Sequence, residues 1–170
     1  MQAVWRFLGD NAAVIIALCA LAFTAYQVFA TRKHNRLSVR PHITYFTYRD
    51  LSPGQGSLKI EIMNNGLGPA IIDAFDVFLD GQKIPSYRSA DIEAKVAEVL
   101  DGQTSKTSVT TLGSGYSMPK DQTRTLLEVR FPATTQNDIE RIEKRLTRFS
   151  LVIRYSSMYG DRYTFDPQNR

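Results

Sequence analysis

The feature that most constrains this sequence is an apolar run over residues 12–30, which carries no charged side chain and has only Thr24, Tyr26 and Gln27 as polar interruptions. At a rise of about 1.5 Å per residue, a helix of this length spans roughly the 30 Å hydrocarbon core of a bilayer. Because the run is apolar on every face rather than along one stripe, it favours a transmembrane helix over the buried helix of a soluble protein. We therefore predict one membrane-spanning helix over residues 12–31, preceded by a short flank over residues 1–11.

Two patterns inside the run raise the alternative of a cleaved leader. Ala20-Leu21-Ala22 matches a small-x-small cleavage site, but residues 23–30 are still apolar beyond it, which favours an uncleaved anchor. A lipoprotein signal would carry a small residue before Cys19, where this chain has a leucine. Cys19 is also the sole cysteine, so no disulfide can form within the chain.

A basic collar over residues 32–42 follows the apolar run directly. Its cations are Arg32, Lys33, Arg36 and Arg40. Since the cytoplasmic flanks of membrane helices are enriched in lysine and arginine, the collar predicts a cytoplasmic location for the chain that follows, at a cell inner membrane. The same side chains could contact anionic lipid headgroups. Insertion in the opposite direction, as a signal anchor, is the alternative.

The distribution of charge argues against a nucleic-acid partner. The chain carries a formal net charge of +4, yet residues 43–170 hold 16 basic and 16 acidic side chains. The whole excess lies beside the apolar run, whereas polynucleotide binding requires a basic surface on the folded domain. We therefore expect the lipid bilayer and a protein of unknown identity as partners, and no cofactor.

Residues 43–170 show the patterning of a mainly β domain. Short runs that alternate apolar and polar residues, separated by turn sequences, predict about seven strands. The clearest runs cover residues 43–48, 58–63, 71–79, 82–84, 123–131, 149–155 and 163–165. Two stretches, residues 89–100 and 135–148, change to helical spacing. The pattern predicts an antiparallel β-sandwich with two inserted helices, preceded by the transmembrane helix.

Individual positions carry more specific predictions. Asp80-Gly81 is a preferred two-residue hairpin turn. Gly66 and Gly68, in the loop after the second predicted strand, allow positive φ, and Pro69 fixes the exit of the loop. In a later predicted strand, alternation places these side chains on one side: Thr125, Leu127, Val129 and Phe131.

Three segments resemble known bacterial domains. Residues 58–84, LKIEIMNNGLGPAIIDAFDVFLDGQKI, are similar to immunoglobulin-like adhesion and CARDB-type domains. In those domains a strand ends in Asn-x-Gly, a Gly-Pro-Ala-like turn follows, and the next strand leads into an Asp-Gly hairpin. Residues 155–163 resemble the final hairpin of the same sandwiches, and residues 36–41 resemble the junction of uncharacterised bacterial proteins with one N-terminal helix. The resemblance implies an immunoglobulin-like sandwich that binds or spaces other molecules, and it carries over no catalytic residue.

The sequence signals for catalysis and for metal binding are weak. A hydrolase needs a base beside its nucleophile, but His34 and His42 both lie near the membrane junction. One cysteine and two separated histidines make no zinc site. Asp73, Asp76 and Asp80 could hold calcium in principle, but solvated strand positions account for them better, because their spacing matches no EF-hand. We therefore assign no catalytic, cofactor-binding or metal residue.

The resulting hypothesis is a non-enzymatic binding or scaffolding module at the cytoplasmic face of the membrane. Tyr48 and Phe78 fall on strand faces opposite the assigned core, so they form the predicted partner surface. An envelope-side binding domain is the first alternative, and an unfamiliar membrane-bound enzyme using carboxylates such as Asp73 or Glu128 is the second. Self-association is a further alternative, because the apolar run places alanines at helical spacing.

Overall fold

The computed structural model describes residues 11–85 and 88–168. The chain divides into two compact units, with the boundary between Ser38 and Val39. Apart from Asn11, the flank predicted over residues 1–11 lies outside the described residues.

The first unit contains helix α1, Ala12–Ser38, which is 27 residues long. None of its residues is buried, and large apolar side chains such as Ile16 and Leu21 expose 68% and 66% of their surface. The hydroxyl of Thr24 donates to the carbonyl oxygen of Ala20 at 2.8 Å, so this polar side chain is satisfied within the helix. The helix is long and apolar enough to cross a membrane, as the sequence predicts.

The second unit is mainly β. Its described residues form nine strands and two helices. The strands are β1 (Ile43–Ser52), β2 (Gln55–Asn64), β3 (Ala70–Leu79), β4 (Gln82–Lys83), β5 (Lys106–Val109), β6 (Ser117–Met118), β7 (Thr123–Phe131), β8 (Phe149–Ser156) and β9 (Arg162–Phe165). The helices are α2 (Ser89–Val99) and α3 (Gln136–Leu146). The prediction of a mainly β domain with two inserted helices is confirmed.

The strands form two antiparallel sheets. The first sheet has the order β1-β2-β7-β5, and the second has the order β4-β3-β8-β9 with β6 paired to β3. Helix α2 connects β4 of the second sheet to β5 of the first, and α3 connects β7 back to β8. Both helices therefore lie in crossovers between the sheets of a β-sandwich.

The buried residues form two clusters. In the junction cluster the inner faces of the sheets meet directly: Ile43, Ile62, Ala70, Ile72, Phe75, Leu112, Met118, Leu126, Ile153, Tyr155 and Phe165. In the helical cluster α2 and α3 pack on the first sheet: Leu58, Ile92, Val96, Leu100, Val129, Phe131, Ala133, Ile139, Ile142 and Leu146. The junction cluster takes its name from its position near Val39–His42, where the chain enters the domain.

A β-bulge interrupts the alternation predicted for β7. Ile60 pairs with Leu127 and Glu61 pairs with Thr125, so Leu126 is the extra residue. A bulge reverses the facing of the residues beyond it. Leu126 therefore joins the junction cluster, while the Thr125 hydroxyl donates to Glu61 at 2.9 Å. The prediction that Thr125 shares one side of the strand with Leu127 and Val129 is wrong, because period-2 alternation cannot anticipate an inserted residue.

Gly66 and Gly68 do not use the positive φ that glycine allows, since neither residue adopts it. Close approach of the backbone requires these glycines instead. A Cβ atom on Gly68 would overlap the carbonyl group of Val39, and one on Gly66 would overlap the backbone of residues 40–42. The Asp80-Gly81 turn is as predicted, with φ values of 51° and 79° that fit a type I′ hairpin.

Buried Asn64 joins the same loop to the entering chain. Its Oδ1 accepts hydrogen bonds from the amides of His42 and Gly66, at 3.1 and 3.0 Å. Its Nδ2 donates to the carbonyl oxygens of Gly68 and Met118, at 2.8 and 2.9 Å. With all four bonds made, the side chain stabilises the junction end of the sandwich.

Candidate binding site

The candidate site is an apolar cleft of about 270 Å³ where the two core clusters meet. Phe75 and Leu126 of the junction cluster line it, together with Ile92 and Leu146 of the helical cluster. Side chains of both sheets line it too, including Leu58 of β2 and Val77 of β3. An apolar cavity of roughly 150 Å³ already accommodates benzene, so this cleft has room for a large apolar group.

The lining residues that reach solvent mark the opening of the cleft. Tyr45 of β1, Thr147 after α3 and Gln168 near the described C-terminal end all line it and are exposed. Thr47, two residues further along β1, lines it as well. The opening therefore lies beside β1, and the site combines an apolar interior with a polar rim.

Strand β1 is an open edge. Within the described part of the chain it pairs with β2 alone, along all ten of its residues. Exposed aromatic side chains accompany this edge, since Phe46 exposes 40% and Tyr48 52% of their surface. A long edge strand with apolar side chains is a template for pairing with another chain.

An ion pair joins β1 to α3 at the rim. The Arg49 guanidinium donates to both carboxylate oxygens of Glu143, at 2.8 and 2.5 Å, and Glu143 also lines the cleft. This bidentate contact raises the pKa of Arg49 above its ordinary value, chiefly through the hydrogen bonds. The pair fixes the position of the strand against the helix beside the opening.

The predicted partner surface is not one patch. Tyr48 lies on the outer face of the first sheet, whereas Phe78 is half-buried on the outer face of the second. Only Tyr48 lies on the open edge strand beside the cleft. Phe46 joins it on the same face at a spacing of two residues.

The four cations of the predicted collar lie in two different units of the chain. Arg32, Lys33 and Arg36 lie on the last two turns of α1, which continues through them to Ser38. Arg40 belongs to the domain, where its guanidinium lies 5.0 Å from the centre of the Tyr163 ring. A cation–π contact of this kind holds the entering chain against β9.

The carboxylates considered for metal binding or catalysis have separate partners. Asp76 pairs with Lys83 and Arg154, at 2.7 and 2.8 Å, and Asp80 pairs with Arg148. Asp73 and Glu128 lie in different sheets, on β3 and β7. Over residues 11–85 and 88–168, no group of three His, Cys, Asp or Glu side chains is placed to hold a metal ion.

The sequence patterns did not predict the cleft. Alternation along β1 was a usable signal, because it places Ile43, Tyr45 and Thr47 on one face and Phe46 and Tyr48 on the other. The cleft itself had no sequence signal, since its lining comes from both sheets and both helices, which are distant in the chain.

Comparison with known proteins gives a family and no activity. No curated protein matches the chain. The sequence profile of a family described as "Domain of unknown function (DUF8453)" matches residues 4–168, which include both α1 and the β-sandwich. The chain therefore belongs to the DUF8453 family.

Proposed function

We propose that this protein is a membrane-anchored, non-enzymatic binding module. Its β-sandwich would take an extended segment of a protein partner along β1 and receive one apolar side chain of that segment in the cleft. The observation that carries this proposal is the position of the cleft, which opens beside β1. Among the described residues, the outer side of this edge strand pairs with no other strand. Strand addition supplies main-chain hydrogen bonds, and the adjacent pocket supplies specificity.

The pairing of β1 leaves alternate amides directed towards the open edge. Ser52 and Gln55 close a two-residue hairpin, so these two residues exchange backbone hydrogen bonds. Every second residue of β1 before Ser52 likewise exchanges backbone hydrogen bonds with its partner on β2. The residues between them, which include Thr47 and Arg49, direct their amides away from β2. Ile43 belongs to this set, and its amide indeed donates to the Tyr155 hydroxyl at 3.5 Å. A partner strand would bond to this row of amides and carbonyl groups.

The anchor in this proposal is α1, and the domain lies on the cytoplasmic side of a bacterial inner membrane. The apolar helix supports membrane insertion, and three cations on its last two turns support this direction. The resemblance of residues 58–84 to immunoglobulin-like, CARDB-type domains supports a binding role. A reporter fused after residue 170 that is active only outside the cytoplasm would reverse the orientation and leave the binding site unchanged.

Site-specific photo-cross-linking tests the binding site in the full-length protein in its native membrane. A photoreactive residue at Tyr48 is expected to give one defined adduct, whereas one at exposed Thr164 of β9 is the matched control. Thr47→Pro removes an outward amide without removing a bond to β2, so the adduct should disappear. An adduct that persists in Thr47→Pro, or that forms equally from Thr164, would contradict strand addition. An adduct between two copies of this chain would identify the partner as the protein itself.

A further inference from the structure

Thr47 lies at the centre of the stretch of β1 that borders the cleft. Tyr45 and Arg49, two residues away on either side, share the inner face of the strand with it. The Tyr45 ring meets the ring of Phe165 in the second sheet edge-on, with 6.0 Å between the ring centres. Arg49 is bound to Glu143 of α3. These contacts flank Thr47 along the strand, so a strand added to β1 has one inward-facing position between them.

The register of an added strand follows from the facing of β1. Thr47 belongs to the row whose amides are directed away from β2, so it would bond through its backbone to the added strand. The residue opposite Thr47 has its side chain on the same face as Thr47 and Ile60, which is the face of the cleft. Its two neighbours have their side chains on the outer face, beside Phe46 and Tyr48. These relations hold for parallel and antiparallel addition.

The interior of the cleft selects the side chain that enters opposite Thr47. Apolar side chains from both sheets and both helices form it, including Ile60, Phe75, Val77, Ile92, Leu126 and Leu146. A polar atom buried there without a hydrogen-bond partner is unfavourable. The volume of about 270 Å³ has room for a phenyl or branched aliphatic group. The entering residue is therefore phenylalanine, leucine or methionine.

The outer face selects the two neighbours of the entering residue. Phe46 and Tyr48 expose 40% and 52% of their surface, and an added strand would cover both. In antiparallel addition these are positions without backbone hydrogen bonds to the added strand, where opposed Cα atoms come within about 4.5 Å. Aromatic side chains pair favourably with aromatic or β-branched side chains at such positions. The neighbours are therefore aromatic or β-branched as well.

Charged side chains beside this stretch of β1 neutralise one another. Arg49 and Glu143 form a bidentate pair on the inner face. On the outer face, the Lys59 ammonium lies 2.5 Å from the Glu61 carboxylate on β2. A charged residue on the added strand would compete with these pairs for its counter-ion. An uncharged segment is the complement of this surface.

We propose that the partner segment carries three consecutive uncharged apolar residues, the middle one inserted in the cleft opposite Thr47 and the outer two packed on Phe46 and Tyr48. This inference rests on the proposed function and names the ligand of that site. Strand β1 reads ITYFTYRDLS and contains no such triplet. The occupant is therefore not β1 of a second copy but a protein of different sequence.

Fluorescence anisotropy with synthetic peptides tests this pattern on the full-length protein in phosphatidylcholine nanodiscs. The probe is a short labelled peptide with Val-Phe-Val between serine flanks. In the first control, Val-Ala-Val replaces the central triplet. The second control has the composition of the probe but reads Val-Ser-Phe-Ser-Val, so that serines face Phe46 and Tyr48. Because the probe and the second control are equally apolar, their uptake by lipid should match, and empty nanodiscs give the background.

The Val-Phe-Val probe is expected to bind. Val-Ala-Val should bind about tenfold more weakly, because it leaves the cleft unfilled. The rearranged peptide should bind about fivefold more weakly, because it lacks two cross-strand contacts. Val77→Leu narrows the cleft, so it should weaken binding of the probe and leave the affinity for Val-Ala-Val unchanged.

Two outcomes would overturn this inference and leave the proposed function intact. One is a defined adduct from Tyr48 with a native partner while the probe binds no better than Val-Ala-Val. The other is an adduct between two copies of this chain, which would overturn the assignment to a protein of different sequence. Probe binding that persists undiminished in Thr47→Pro would overturn strand addition, and with it both proposals.

Discussion

The two ends of the sandwich core are built differently. At the junction end the inner faces of both sheets meet directly, and the junction cluster is closed around fully buried residues such as Ile62 and Ile153. At the other end α2 and α3 lie on the first sheet, and the cleft remains between the clusters. Facing sheets pack about 10 Å apart, whereas a helix alone has a diameter of about 10–12 Å. Both helices contribute side chains to the lining of this cleft, whereas the junction cluster contains residues of neither helix.

If the proposed function holds, this difference separates stability from binding within one small domain. The junction end contains the Asn64 hydrogen bonds and the two glycines on which the entering chain packs. The helical end contains the cleft, the open edge of β1 and the Arg49–Glu143 pair. Substitutions at the junction end should therefore lower stability, whereas substitutions around the cleft should change binding with little loss of stability.

The largest expected effect is that of Gly68→Ala. The added Cβ would overlap the carbonyl group of Val39, and backbone on both sides has to move. We expect the free energy of unfolding to fall by about 3 kcal/mol or more, measured by chemical denaturation of the full-length protein in mild detergent. Gly113→Ala is the control, because a Cβ there meets nothing within 4 Å. Equal effects of the two substitutions would contradict the close packing of the entering chain.

Asn64→Ala should have the next largest effect. It leaves two amides and two carbonyl groups without their partner in a buried site, which costs about 2–3 kcal/mol in the same denaturation measurement. Asn65→Ala is the matched control, since Asn65 is exposed and its side chain donates to Thr44 alone. A change of less than about 0.5 kcal/mol is expected for the control. Similar losses for both variants would show that the buried bonds are not the cause.

Val77→Leu and Val129→Leu compare the open and closed parts of the core. Val77 lines the cleft, so an added methylene has space and should raise the free energy of unfolding by about 0.5–1 kcal/mol. Val129 is 0% exposed within the helical cluster, so the same change overpacks it and should cost about 1–3 kcal/mol. Val77→Leu should also weaken the Tyr48 cross-link. Destabilisation by both variants would mean that the cleft is closed in solution.

The smallest expected effect is a pH dependence from Glu61 on the outer face of the first sheet. The Lys59 ammonium, 2.5 Å away, lowers the pKa of Glu61 below its ordinary value of 4.5, and the Thr125 hydroxyl assists. A carboxyl with a lowered pKa binds protons more weakly in the folded state. Its contribution is therefore complete above pH 4.5 and is lost as the pH falls below that value.

Glu61→Gln should flatten the loss of stability measured by denaturation below pH 4.5. Glu140 is exposed, so Glu140→Gln is the matched control. In this variant the free energy of unfolding should fall with decreasing pH as steeply as in the wild-type protein. A wild-type slope in Glu61→Gln would mean that the pair with Lys59 contributes nothing to acid stability. Neither variant is expected to change the photo-cross-link formed from position 48.

Local chemistry determined much of the fold in advance. The apolar run predicts α1, the Asp80-Gly81 turn predicts its hairpin, and the stripe Ile139, Ile142 and Leu146 predicts the buried face of α3. Each of these depends on residues close together in the chain. Where prediction failed, the cause lay in a neighbouring segment: the bulge at Leu126 requires β2, and the need for Gly68 requires Val39.

The sequence by itself determined the apolar helix, the mainly β class of the domain and the positions of both inserted helices, because periodicity and turn residues act over a few residues. Only the tertiary structure decided which strand became an open edge and where space remained between the sheets. Tyr48 could be identified as outward-facing from alternation, but its place beside a cleft depends on the separation of two sheets. The cleft is lined by both sheets and both helices, so its existence depends on their packing together, which no single segment encodes.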